Sequence, residues 1–252
     1  MSQSLLQVAA AAVLVLGAAA LAWRLGLGLA RPILLAATRA AVQLTAVGAL
    51  IALVFHVPAL AFAFLAVMAT TAAITSGRRL RALAAGPRAA AVAIALPALG
   101  VTGLLVAVGA FDATPRAAIP TAGILIGGAM AATTITGRRL IEGLAAGGDE
   151  IETRLALGDA ARAALAPLTR QAIATGLIPA IDQTRSVGLV TLPGTFVGLV
   201  LGGASPAEAA RLQLTVLLAL LAVELVSAVL VSELIARACV APGERVVVAL
   251  RP

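Results

Sequence analysis

Residues 213–236 read QLTVLLALLAVELVSAVLVSELIA. A run of roughly 20 apolar residues, rising about 1.5 Å each as a helix, spans a bilayer. This run is long enough, and Glu224 is its one carboxylate near the middle. Comparable runs fill the rest of the chain. Its 252 residues are 62% hydrophobic and 12% charged, with a mean hydropathy of +1.09. Soluble domains carry about twice that charge. The pattern predicts an all-α, polytopic integral membrane protein, with residues 1–252 forming one transmembrane domain.

Seven spans are expected, at about 4–23, 33–55, 58–76, 90–110, 117–137, 187–203 and 213–236. The span at 187–203 is short and glycine-rich and could instead be re-entrant. The first 22 residues resemble a signal sequence around Ala18-Ala19-Ala20 but lack a basic start, so they read as an uncleaved first span.

All 18 basic residues are Arg, and they mark sides. With these spans, 16 fall on one face and only Arg116 and Arg211 on the other, with Arg39 snorkelling to the richer face. The positive-inside rule then puts the N-terminus outside and the C-terminus in the cytoplasm of a cell (inner or plasma) membrane. The net charge of +7 follows from this asymmetry and gives no cause to invoke nucleic acid. The single Cys239 forms no internal disulfide. Thr75-Ser76-Gly77-Arg78-Arg79-Leu80 is echoed by Thr136-Gly137-Arg138-Arg139-Leu140. The echo reads as two similar stop-transfer ends or as a duplicated helix pair.

Residues 138–186 are the one long polar stretch and are expected in the cytoplasm. Ile151, Leu155, Leu165 and Leu168 recur at helical spacing, which predicts one or two short surface helices broken at Gly158. Such a stretch can be a solvated connector or a docking element. Glu152 and Gly158, as Glu-x5-Gly, resemble the coupling-helix loop of ABC transporter permeases, in which a short helix fits a groove on the ATPase.

A larger set of residues carries a more specific resemblance. It comprises Arg39-x3-Gln43-Leu44-x3-Gly48, Ile119-Pro120-x2-Gly123-x3-Gly127-x2-Met130, and Leu155-Ala156-Leu157-Gly158. It continues through Ile178-Pro179-x2-Asp182-x4-Val187-Gly188-Leu189-Val190-Thr191-Leu192-Pro193-Gly194 and Gly203-x2-Pro206-x6-Gln213. The chain is similar to the FetB-type permeases, the UPF0014 family. The resemblance implies the membrane subunit of an ABC transporter that exports metal ions, with iron the leading substrate. It implies a homodimer with a separate FetA-like ATPase subunit, coupled through Glu152, Leu157 and Gly158. The chain has Gly128 where the family usually has Asn, and Thr195-Phe196 where it usually has a Met pair. A Met pair would supply soft ligands, so metal specificity does not carry over with the resemblance.

Enzymatic chemistry within the chain is not expected. A P-loop needs Lys, and the chain has none. Zinc sites need clustered His and Cys, and His56 and Cys239 are single. No cofactor is implied, and no metal ligand set can be named.

Glu224 is a candidate cation or proton site, because a charge at that depth costs about 3 kcal/mol and belongs in a bundle interior. Its alternative is a protonated carboxyl bonded to a neighbouring helix. Gln43 reads as pathway lining or as a helix-to-helix hydrogen bond. Asp182 reads as a gate or as an ion pair with Arg185 at the cytoplasmic mouth. Met130 is a further pathway candidate, although packing is its ordinary role. Gly123-x3-Gly127 and Gly194-x3-Gly198-x3-Gly202 offer smooth faces for helix contact. Two rivals to the ABC reading are a proton-coupled carrier using Glu224 and a membrane anchor that transports nothing.

Overall fold

The computed structural model describes residues 3–57, 59–243 and 245–247. Arg251 and the last residues therefore lie outside the described part. Contacts divide the chain into two units, Met1–Pro58 and Ala59–Pro252.

The first unit is a helical pair, α1 (Gln3–Arg24) packed on α2 (Ala30–His56). Ala and Leu dominate both helices, and both residues favour helix strongly. The chain leaves α1 through Gly26, at φ +63°. Gly26 N donates to Trp23 O at 3.0 Å and Leu27 N to Ala22 O at 3.1 Å. These bonds satisfy carbonyls that the last turn would otherwise leave free.

The second unit contains α3 (Ala59–Arg79), α4 (Gly86–Ala107), α5 (Pro115–Ala146), α6 (Gly148–Ala156), α7 (Ala161–Ser186), α8 (Gly194–Leu201) and α9 (Pro206–Cys239). A small antiparallel hairpin follows, β1 (Val240–Ala241) and β2 (Arg245–Val246). Ser205 caps α9 by accepting from Glu208 N at 3.3 Å, and Pro206 follows it in the first turn, where its missing N–H is harmless.

Small residues set the helix directions. Gly77 faces Pro87 and Gly86 meets Leu80, so α4 runs back along α3. Ser76 bonds Thr134 at 2.7 Å and Leu80 fills the surface of Gly137, so α5 runs parallel to α3. Gly128 of α5 faces Leu220 and Glu224 of α9. Further along, Leu140 and Ile141 share a cluster with Val231 and Ile235, so α9 also runs parallel to α5. Leu168 covers Gly143 and Gly147, and Gly176 meets Thr136, so α7 runs antiparallel to α5. The bundle thus alternates, with α3, α5 and α9 one way and α4 and α7 the other. Both ends of the Ser/Thr-Gly-Arg-Arg echo lie at the same end of this bundle.

Six described helices are long and apolar enough to cross a membrane: α1, α2, α3, α4, α5 and α9. The expected span at 187–203 is not such a helix. Its first residues form a turn, with Gly188 N donating to Thr191 O at 2.8 Å and Val190 N to Ser186 O at 2.9 Å. Gly188 has φ +84°, which ends the helix before it. The 8-residue α8 then rises only about 12 Å.

The stretch expected to hold short surface helices also differs. After the predicted break at Gly158, residues 161–186 form one 26-residue helix, about 39 Å long, packed on α5 and α9. Ala161, Ala164, Leu165, Ala172, Gly176, Leu177 and Ala180 are buried along it. Arg170, Gln171, Asp182 and Gln183 lie exposed. These polar residues obscure the helix in a hydropathy reading, and its buried face is made of small residues that add little to one. Asp182 and Arg185 consequently sit at the end of α7 remote from α6.

Candidate functional site

The first candidate site is α6 with the turn that follows it. α6 hangs between the two longer helices, joined to α5 at Gly147 and to α7 through 157–160. Ile151 is its buried anchor, in a cluster with Leu140, Leu144 and Leu165. Asp149 and Glu150 begin the helix and Arg154 ends it, complementing the helix dipole. Arg154 Nε meets Glu150 Oε1 at 3.2 Å, and Arg154 Nη1 meets Asp159 Oδ2 at 3.6 Å. Exposed pairs of this kind contribute about 0.3–0.5 kcal/mol each.

Glu152 is exposed, and Leu157 is 82% exposed at the tip. Gly158 turns at φ +95° with nothing packed against it. Its N–H donates to Leu155 O at 3.0 Å, and Asp159 N donates to Arg154 O at 3.1 Å. The result is a short anchored helix that presents a carboxylate and a bare leucine on its outer side.

The second candidate site lies inside the bundle. Glu224 is buried on α9, and no described residue hydrogen-bonds or pairs with its carboxylate. A Cβ on Gly128 would stand 2.9 Å from Glu224 Oε1 and would collide with Leu220. Gly128 therefore makes the room in which the carboxylate sits. The hydroxyls of Thr133, Thr136, Ser227 and Ser232, and Oε1 of Gln213, are buried without a partner among the described residues. Unpaired buried polar groups each cost about 1–3 kcal/mol, and they concentrate on α5 and α9. Thr102, Thr169, Thr175 and Thr184, by contrast, bond carbonyls of their own helices.

The other expected residues are more dispersed. Met130 is half-buried at the edge of the cluster around Leu125 and Ile126, two residues from Gly128. Asp182 is exposed. Gln43 is exposed on α2, in the first unit. Gly123 receives the Met68 methyl at 2.9 Å from where its Cβ would be, whereas Gly127 is open. Gly194 and Gly198 have nothing within 4 Å, and Gly202 meets only carbonyls of its own helix. No group of three or more His, Cys, Asp or Glu among the described residues could hold a metal ion.

Sequence reasoning missed three features: the Gly128 socket, the Gly176–Thr136 contact and the Ser76–Thr134 bond. Only the last had a signal, the repeated Ser/Thr-Gly-Arg-Arg ends.

Residues 5–240 match the UPF0014 family, described as an uncharacterised protein family. The chain belongs to that family. The UPF0014 membrane protein STAR2 of rice is 39% identical over 228 residues, covering 90% of this chain and 80% of that protein. ALUMINUM SENSITIVE 3 of Arabidopsis thaliana is 35% identical, covering 83% and 77%. The probable iron export permease protein FetB of Escherichia coli is 31% identical, covering 81% and 80%. No solved structure matches the chain. The UPF0014 membrane-protein relatives and the six apolar helices among the described residues establish a multi-pass membrane protein.

Proposed function

We propose that this UPF0014 chain is the membrane subunit of an ABC transporter that exports metal ions, iron first among them. It acts as a homodimer, residues 1–252 of each copy forming one permease domain, with ATP hydrolysed by a separate FetA-like subunit. The observation that carries the reading is α6. It is held to the bundle by Ile151, while Glu152 and Leu157 are free for a partner and Gly158 supplies the turn. A soluble ATPase that grips this helix can pull on α5 and α7 together.

The pathway is assigned to the interior around Glu224, with Asp182 and Met130 as further lining; Gln43 remains a candidate within the first unit. Carboxylate, hydroxyl and amide oxygens suit hard cations. The name of the Escherichia coli relative supports iron and export.

The proposed topology puts the N-terminus outside and the C-terminus in the cytoplasm, with seven crossings, the sixth being α7. Since α5 and α9 run parallel, the chain must return between them, and α7 is the long helix that does so. Its polar face would meet lipid poorly and belongs toward the pathway.

The test is reconstitution with the ATPase subunit in proteoliposomes. Iron-stimulated ATP hydrolysis and ATP-dependent iron movement are expected, and both should be lost in Glu152→Ala and Gly158→Pro. Full coupling in those variants would sink the role of α6. One observation favours a second reading: the buried, unpartnered Glu224 suits a proton-coupled carrier. Flux without the ATPase that depends on a pH gradient and disappears in Glu224→Gln would select it.

A further inference from the structure

An open groove of about 540 Å³ runs between α3 and α4. Ala69, Ala73 and Ile74 line one side, and Ala91 and Ala95 the other. Arg78 and Arg81 stand at one end. From Ala69 to Arg78 the groove follows nine residues of helix, about 14 Å. That is close to one leaflet of a hydrocarbon core about 30 Å thick. The small alanine side chains leave the groove open, and the Gly77–Pro87 approach closes α3 onto α4 at the arginine end.

The charge balance around this groove is unusual. The chain has no Asp or Glu before Asp112, yet Arg24, Arg31, Arg39, Arg78, Arg79, Arg81 and Arg88 all precede it. Later arginines find carboxylates: Arg138 and Arg139 meet Glu142, Arg154 meets Glu150 and Asp159, and Arg162 and Arg237 share Glu233. Arg78 and Arg81 are exposed and pair with no described residue. Arg88 repeats the arrangement at a second groove of about 330 Å³, beside Ala89, Val92 and Leu234.

We propose that the α3–α4 groove binds an anionic phospholipid, its phosphate at Arg78 and Arg81 and one acyl chain along the alanine floor. A free phosphate would satisfy the arginines but leave the apolar groove unexplained. A neutral lipid would fill the groove but leave two cations at the membrane surface without counter-charge. An anionic lipid answers both, and basic pockets between spanning helices hold such headgroups. The site requires only that the chain lies in a membrane, so it stands apart from the ATP-driven reading.

Native mass spectrometry of the full chain, released from mixed micelles of phosphatidylglycerol and phosphatidylcholine, tests it. The unaltered protein should retain phosphatidylglycerol over phosphatidylcholine by about thirtyfold, as two arginines at a headgroup imply. The double variant Arg78→Gln/Arg81→Gln should lose that preference. Ala73→Phe, which fills the groove and keeps the charge, should lose retention too, and Ala91→Leu fills the same groove should Ala73→Phe unfold in a thermal melt. Arg24→Gln/Arg31→Gln removes equal charge elsewhere and should retain the lipid. Equal losses from the two arginine pairs would reduce the effect to diffuse surface charge and overturn the site. Unchanged retention in both groove-filling variants, with displacement by inorganic phosphate, would make it an anion site and overturn it as well.

Discussion

Two consecutive segments, α7 and the stretch 187–203, invert the usual relation between hydropathy and burial. The first carries Arg, Gln and Asp along its length, yet packs a continuous face onto α5 and α9. The second is almost wholly apolar, yet α8 has no buried residue, and Leu189, Val190 and Leu201 are each more than 80% exposed. In a membrane the outer surface meets hydrocarbon, so apolarity describes what surrounds a helix and not what it packs against. Packing follows the size of the contact residues, because close approach maximises dispersion where lipid supplies no hydrophobic drive.

The largest expected effect would come from breaking the α7 contact. Gly176→Leu drives a side chain into Thr136 and should cost about 1–3 kcal/mol or more, read as a lower Tm in detergent. An unchanged Tm would mean α7 is not seated on α5. Gly128→Leu should cost about as much, because it displaces Leu220, and should also disturb Glu224. Next comes Thr134→Val, which leaves the buried Ser76 hydroxyl without its partner and should cost about 1–2 kcal/mol by the same melt. Arg162→Ala removes a 2.6 Å pair with Glu233, but Arg237 still holds that carboxylate at 2.8 Å, so a loss of about 0.5 kcal/mol or less is expected. Smallest of all should be Gly194→Leu/Gly198→Leu, within about 0.5 kcal/mol, since both glycines face open space. A large loss there, together with a change in mass by light scattering, would show that a second copy covers α8.

The same contrast explains what the sequence disclosed. The six helices long and apolar enough to cross a membrane were legible because each contains a long apolar run with arginine near at least one end. The break at Gly158 was legible because only a residue tolerant of φ +95° suits it. Glu224 stood out as a carboxylate in an apolar run, and its burial followed. α7 was not legible, since its signal is a repeat of small residues whose meaning depends on the helices they touch. Nor were Gly128 and Gly176, for a close approach is a property of two helices and each was visible alone. The glycine stripe of α8 shows the converse, a smooth face that nothing within the described chain covers.

Leu80 is wholly buried, at the start of the turn between α3 and α4, where it meets both Gly86 and Gly137. It works as an index pin. An added residue between Leu80 and Gly86 would part the pin from its Gly86 socket while leaving it seated at Gly137. This turn should therefore resist insertion, whereas the turn at 187–193, exposed from Gly188 to Leu192, is the more natural place for a tag.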